Sequence, residues 1–151
     1  MTKFIEWSDG LSVGIEEIDE QHKILVGLVN KMHDAIQTRQ GNDVVRDVLS
    51  SLAEYTRIHF AVEESLMRIL HYPVYEEHRK AHEALEKQLH ELEQKMAAGS
   101  ASIGFELMHF LKLWLTKHIM EDDKSYSGFF LDAGMKPTLK KKSWVSLIWR
   151  R

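Results

Sequence analysis

Residues 59–82 read HFAVEESLMRILHYPVYEEHRKAH and contain the end of one amphipathic segment, a turn and the start of another. Residues four apart lie on the same face of an α-helix, so His59/Glu63 and His78/His82 each form a pair that can reach one site. Pro73 interrupts the helical pattern between the two pairs. The stretch therefore predicts a helical hairpin that brings both pairs to the same end.

The rest of the chain also consists of amphipathic segments separated by turns. Further turn signals occur at Gly41-Asn42 and Gly99-Ser100. Apolar residues recur at steps of three and four in four segments, at about 18–40, 43–70, 74–97 and 101–123. There is no strand pattern and no sequence repeat. We therefore expect an all-α fold, an up-down-up-down antiparallel four-helix bundle, with an irregular arm at 1–17 that Trp7 anchors.

Composition excludes several classes of protein. The chain has 151 residues, 44% of them hydrophobic and 28% charged, as is typical of one globular domain. It has no cysteine, which excludes disulfide frameworks, thiolate zinc sites and cysteine-ligated iron–sulfur clusters. Neither a signal-peptide pattern nor a transmembrane segment is visible, so the expected location is the cytoplasm.

Charge divides the chain into two parts. Residues 1–132 contain 14 basic and 23 acidic residues, a balance of 14 − 23 = −9, whereas residues 133–151 contain six basic residues and no acid. An acidic body argues against nucleic acid as a partner. We expect 1–132 to form the bundle domain and 133–151 a short basic extension in which Trp144, Leu147 and Ile148 have helical spacing. Docking on the bundle is the favoured role of this extension, with a membrane surface or a protein partner as alternatives.

Seven potential metal ligands are predicted to lie inside one end of the bundle. They are His22, His59, Glu63, His78, His82, His118 and Asp123. Burying such groups is costly unless something satisfies them, and a metal would satisfy them together. Five imidazoles and two carboxylates exceed the needs of one ion and suit two irons. Asp123 can join only if the last helical turn loosens or its side chain reaches back, so Asp122 remains an alternative.

The spacing of these residues resembles that of the bacterial hemerythrins over about residues 4–130. The matching motifs are Ile18-Asp-Glu-Gln-His22, His59-Phe-Ala-Val-Glu63-Glu64, His78-Arg-Lys-Ala-His82 and Trp114-Leu-Thr-Lys-His118-Ile-Met-Glu-Asp-Asp123-Lys-Ser-Tyr126. The step of 19 residues from His59 to His78 is the family's own.

The resemblance implies a ligand set and a function. One iron would be held by His78, His82 and His118, and the other by His22 and His59. Glu63 and Asp123 would bridge the two irons beside an oxo or hydroxo bridge. The vacancy on the second iron would bind dioxygen reversibly, for oxygen transport, delivery or storage, in a monomer that is not an enzyme.

The resemblance also implies an apolar oxygen pocket that excludes water. Its walls would be Phe60, Trp114, Leu115 and Ile119, although for Phe60 and Leu115 a plain core role is at least as good an interpretation. Asp19 and Gln21 match family positions near the first ligand, and helix capping is the plainer role for Asp19. The other histidines match no ligand position and are interpreted as surface, turn or boundary residues. They are His33, His71, His90 and His109.

Two other functions stay open on the sequence. An oxygen- or redox-sensing module would need a separate output partner. A diiron oxidase or ferroxidase of the ferritin-like kind would need Glu-x-x-His on two helices, and the chain has one such pair, Glu106/His109, outside the ligand set.

Overall fold

The computed structural model describes residues 4–39, 41–98 and 103–137. Four long helices account for most of them: α1 (Glu16–Gln37), α2 (Asn42–Ile69), α3 (Tyr75–Ala97) and α4 (Ile103–Lys117). A six-residue π-helical turn, His118–Asp123, follows α4 and leads into α5 (Lys124–Asp132). A short 3-10 turn, Asp9–Leu11, lies in the arm before α1.

The four long helices pack in a ring around one core. α1 contacts α2 and α4, and α3 contacts the same two helices. Each helix contributes an apolar stripe, and burying a Val, Leu, Ile, Phe or Met side chain is worth about 1.5–3 kcal/mol. Fully buried members of the core include Leu25, Val29, Leu52, Phe60 and Leu111. The predicted all-α bundle is confirmed, and no described helix is both long and apolar enough to cross a membrane.

Two helices end in the same capping motif, and both ends shape the surroundings of the site. At the end of α2, His71 has a positive φ of 57°, and the next amide donates to Met67 O at 2.8 Å. At the end of α5, Gly134 has φ 100°, and Met135 N–H donates to Phe130 O at 3.0 Å. These are the bonds of a Schellman motif, which satisfies the last carbonyls and turns the chain away from the helix axis.

The predicted end of the fourth helical segment is wrong. The prediction ended it near residue 123, but helical structure continues through the π turn and α5 to Asp132. The sequence contains no glycine or proline between 105 and 127 that would mark an end. The first helix also differs from the prediction, since it begins at Glu16 and ends at Gln37 rather than spanning about 18–40.

The arm is irregular, as predicted, and side-chain contacts tie it to the bundle. The Asn30 amide accepts from Ile5 N–H at 2.8 Å and donates to Ile5 O at 2.9 Å. The Asp19 carboxylate accepts from Val13 N–H at 2.8 Å and from the Ser12 hydroxyl at 2.5 Å. The capping interpretation of Asp19 is therefore wrong, because the N-cap of α1 is Ile15 and Asp19 binds the arm instead. Trp7 is only half-buried, with Lys23 over its ring.

Part of the basic extension, residues 138–151, lies outside the described residues. Its predicted docking and the domain boundary at 132 therefore stay predictions. Before that segment, Lys136 O accepts from Glu16 N–H at 3.1 Å, and Ile15 and Pro137 form an isolated antiparallel bridge. The chain thus returns to the start of α1 after the end of α5.

Candidate metal centre

All seven predicted ligands converge inside one end of the bundle. α1 contributes His22, α2 contributes His59 and Glu63, α3 contributes His78 and His82, and the π turn contributes His118 and Asp123. None is more than 7% exposed. Because neighbouring helices run in opposite directions, the start of α1 and α3 and the end of α2 and α4 meet at this end.

Asp123 lies at the centre of the cluster. Its Oδ2 is 2.6 Å from His22 Nε2 and 3.0 Å from His118 Nε2. The same oxygen is 3.4 Å from His59 Nε2, and Oδ1 is 3.4 Å from His78 Nε2. One carboxylate thus contacts an imidazole from each of α1, α2 and α3, and a fourth imidazole from the π turn after α4. This is the position that a bridging ligand requires.

Glu63 is the second central carboxylate. Its Oε1 is 3.2 Å from both His59 Nε2 and His82 Nε2, and 3.9 Å from His118 Nε2. Its Oε2 accepts a short hydrogen bond from the Tyr126 hydroxyl. One oxygen of Glu63 therefore faces the imidazoles while the other is held by α5.

The ligand atoms form two overlapping groups. One contains His22, His59 and His118, the other contains His78 and His82, and both contain Glu63 and Asp123. Within each group the ligand atoms all lie within 4.8 Å of one another. Two groups that share two carboxylates match a pair of ions with carboxylate bridges. The resemblance assigns His118 to the ion of His78 and His82, whereas here it belongs to the other group, so its assignment stays a prediction.

Buried polar atoms without hydrogen bonds indicate where a metal would bind. Several buried ligand atoms lie close to other ligand atoms but form no hydrogen bond among the described residues. They are Glu63 Oε1, Asp123 Oδ1 and the Nε2 atoms of His78, His82 and His118. Leaving such atoms unpaired in a core costs about 1–3 kcal/mol each. Cations that accept these lone pairs would remove that cost, so the donor set fits bound metal.

Without a metal, neighbouring carboxylates and imidazoles shift the pKa values of three members of the cluster. Burial alone would lower the pKa of His118, but the charge of Asp123 and the neighbouring carboxylates of Asp122 and Glu63 raise it to about 10. Burial likewise opposes a charged His82, and Glu63 and Glu64 outweigh it and raise its pKa. Burial would raise the pKa of Asp123, but His118 together with hydrogen bonds from His22 and His59 holds it well below its usual range. Metal ligands must be deprotonated, so metal binding at this site has to displace these protons.

Two outer acceptors, from Gln21 and Glu64, face the Nδ1 atoms of ligand histidines. Gln21 Oε1 lies 2.6 Å from His59 Nδ1, and Glu64 Oε2 lies 3.0 Å from His82 Nδ1. An acceptor at Nδ1 fixes the tautomer and points Nε2 inward, as the outer partners of metal-bound histidines do. The sequence indicated only that Gln21 lies near the first ligand. No role was predicted for Glu64, although its place directly after Glu63 was visible.

Asp122 and Asp123 occupy different positions. Asp122 Oδ2 lies 3.7 Å from His118 Nδ1, on the outer side of the ring, and its side chain is 38% exposed. Asp123 is fully buried among the Nε2 atoms. The π turn explains why. A π-helix bonds residue i to i+5, so a residue five positions on returns to nearly the same face, which a regular α-helix would not allow. Of the two ways in which Asp123 could join the cluster, the structure has the loosened last helical turn.

Aromatic rings pack directly against the ligands. Phe60 stacks on His82 with ring centroids 3.8 Å apart and 4° between the planes. Trp114 stacks on His118 at 6.4 Å, and Leu115 is fully buried in the core. Three of the four predicted pocket residues are therefore buried, two of them against ligand rings. The side chain of Ile119, the fourth, lies outside the described part of the structure.

The four other histidines lie outside the cluster. His33 stacks on Phe4 with centroids 4.4 Å apart, and His71 lies in the turn directly after Leu70, the C-cap of α2. His90 and His109 are exposed. These positions agree with their interpretation as surface, turn or boundary residues.

Comparison with known proteins gives consistent matches. Residues 13–129 match the family model described as the hemerythrin HHE cation binding domain. A bacteriohemerythrin of Pseudomonas aeruginosa is 36% identical over 151 residues, covering 96% of this chain and 95% of that protein. A bacteriohemerythrin of Methylococcus capsulatus is 32% identical, covering 78% of this chain and 87% of that protein. The crystal structure of a wild-type hemerythrin superposes with a TM-score of 0.76 at 28% identity, covering 83% of this chain and 96% of that one.

Proposed function

Because this chain belongs to the hemerythrin family, we propose that it binds dioxygen reversibly at a non-heme diiron centre, for oxygen transport, delivery or storage. One observation carries the proposal. Five imidazoles and two carboxylates are buried together, in two groups that share both carboxylates. Mixed nitrogen and oxygen ligands in this number suit two irons better than zinc, which usually takes four ligands.

The proposed ligand set leaves the two ions unequal. His78, His82 and His118 would hold one iron, and His22 and His59 the other, with Glu63 and Asp123 between them. The pair would supply an open coordination position and two electrons for binding dioxygen. All seven ligands come from one chain, which supports a centre that is complete in a monomer.

The chain's own residues would keep the centre in order. The Tyr126 hydroxyl holds Glu63 Oε2, so Glu63 keeps its other oxygen on the ligand side. Gln21 and Glu64 hold the outer nitrogens of His59 and His82. Each contact fixes a ligand before a metal arrives, which lowers the entropic cost of binding.

Apolar contacts would protect the centre from water. Phe60 and Trp114 cover the faces of His82 and His118, and both are at least 96% buried. Excluding water slows proton delivery to a bound oxygen molecule and so favours its release unchanged. No residue is assigned a catalytic role in this proposal.

An oxidase or ferroxidase is less well supported. Among the residues that the structure describes, the cluster contains two carboxylates, Glu63 and Asp123, and five imidazoles. His109, which belongs to the chain's Glu-x-x-His pair, is exposed and lies outside the cluster. The ferritin-like arrangement places such a pair inward from two helices.

The proposal is tested by iron content combined with oxygen uptake. Protein expressed with sufficient iron should contain two irons per chain and, when reduced, take up one dioxygen per pair of irons and then stop. One iron per chain, or zinc bound in preference to iron, would refute the diiron assignment. Continued oxygen consumption in the presence of a reductant and an organic substrate would instead favour the oxidase.

A further inference from the structure

A surface groove of about 550 Å³ lies beside the first turns of α1. Its walls come from α1 and from the residues that follow α5. The lining residues are Glu16, Glu17, Glu20, Gln21, Ile24, Gly134, Met135 and Lys136. None of them is a proposed metal ligand, and among them only Gln21, which contacts His59, has a role in the function proposed above.

The groove is acidic and partly apolar. Its lining carries three carboxylates and one ammonium group, a balance of 1 − 3 = −2. Glu16 pairs with Lys136 at 3.1 Å and Glu20 with Lys23 at 3.1 Å. Ile24 is 48% exposed although it is a large aliphatic residue. An acidic rim beside exposed aliphatic surface fits a segment that is both basic and apolar.

The described chain ends at the edge of this groove. The Schellman turn at Gly134 directs Met135 and Lys136 back toward α1. Lys136 O then accepts from Glu16 N–H at 3.1 Å, and Pro137 forms a bridge with Ile15. The last described residues therefore lie beside the start of α1, where Glu16 and Lys136 both line the groove.

The following 14 residues, 138–151, have the complementary composition. They include five basic residues, two tryptophans and no acid: TLKKKSWVSLIWRR. An extended chain of this length reaches up to about 46 Å, at about 3.3 Å per residue. Glu16 and Ile24 are only about 12 Å apart along α1, at 1.5 Å per residue. Reach therefore does not limit where this segment can bind within the groove.

We propose that residues 138–151 dock intramolecularly in the groove beside the start of α1. The basic residues pair with the carboxylates of Glu17 and Glu20, and the apolar residues cover Ile24. A neighbouring attachment point gives the segment a high effective concentration at this site, ahead of any free partner. Docking requires no bound metal, so it stands or falls separately from the diiron proposal.

The chain has no cysteine, so an introduced pair can form only one intramolecular disulfide. The test pair is Ile24→Cys with Val145→Cys. The matched control replaces Glu91, an exposed acidic residue on α3 across the bundle, together with Val145. Rates of intrachain disulfide formation are measured in a glutathione redox buffer by mass spectrometry. A second test pair, Glu17→Cys with Val145→Cys, uses an exposed position whose replacement leaves the core intact.

Docking predicts that both test pairs close at least about tenfold faster than the control, because a docked segment holds position 145 beside α1 and away from α3. Adding Glu20→Lys to a test pair, or 1 M salt, should reduce that ratio, since surface charges are screened within about 3 Å at that ionic strength. Equal rates for test and control pairs would overturn the proposal. Disulfides that join two chains would also overturn it, by identifying a second copy as the occupant. Binding to phosphatidylglycerol vesicles with equal closure rates would identify a membrane element instead.

Discussion

Substitution by Asn should destabilise the protein far more at Asp123 than at the adjacent Asp122. Asp123 has all of its side chain buried and lies within 3.4 Å of four imidazole nitrogens. Asp123→Asn removes the negative charge that these imidazoles share. Breaking a buried ion pair from one side costs about 3–5 kcal/mol. Asp122 makes one contact at 3.7 Å and is 38% exposed, so Asp122→Asn should cost at most about 1 kcal/mol.

Urea unfolding of the metal-free proteins at pH 7 measures these free energies, and iron titration measures what remains of the site. Asp123→Asn should lower the free energy of unfolding by several times as much as Asp122→Asn and should lose the two-iron stoichiometry. Asp122→Asn should keep both irons. If Asp122→Asn lost iron while Asp123→Asn kept it, the bridging role proposed for Asp123 would be refuted.

Three further outcomes follow from the same geometry. In the metal-free protein the pKa of His118 is raised to about 10 from an unfolded value of about 6.5, so its stabilising contribution is complete below about pH 6.5 and disappears as pH rises toward 10. Urea titrations should therefore show the free energy of unfolding falling over this range by up to about 1.4 kcal/mol per pH unit. A free energy of unfolding that rises with pH would contradict the assigned protonation of His118. Replacing His78 with Ala should lose iron, while His22→Ala should keep one iron and lose oxygen binding; an oxygen-dependent absorption band that survives in His22→Ala would show that the ligand assignment is wrong. Ile119→Glu should accelerate autoxidation, measured from the decay of the oxygenated spectrum, and a rate equal to that of the unaltered protein would remove Ile119 from the shielding role.

The bundle and the convergence of the ligands were predictable because they depend on periodicity. Steps of three and four place His22, His59 and His78 on inward faces, and short turns bring those faces to one end. The prediction of α2 and α3 was accurate to a residue or two because Gly41 and Pro73 mark their ends. Residue spacing and turn residues are local features of the sequence, so the helix bounds and inward faces could be predicted without knowledge of tertiary contacts.

The π turn and the outer acceptors could not be derived in the same way. The five-residue step from His118 to Asp123 indicated that a regular helix would separate them, but it did not decide between a loosened turn and a reaching side chain. Glu64 meets His82 across two helices, and this contact depends on how α2 and α3 are rotated against each other. The continuation of the last helix to Asp132 was missed because the prediction stopped at the final ligand and not at a helix-ending signal.

The optical spectrum through repeated cycles of oxygenation and deoxygenation tests the central proposal most directly. Iron-loaded, reduced protein should have no strong visible band, gain one on exposure to air, and lose it again when oxygen is removed, with the same amplitude over several cycles. A spectrum that does not respond to oxygen would contradict the proposed function. So would a single irreversible change on first exposure to air, which would indicate oxidation of the irons without reversible binding.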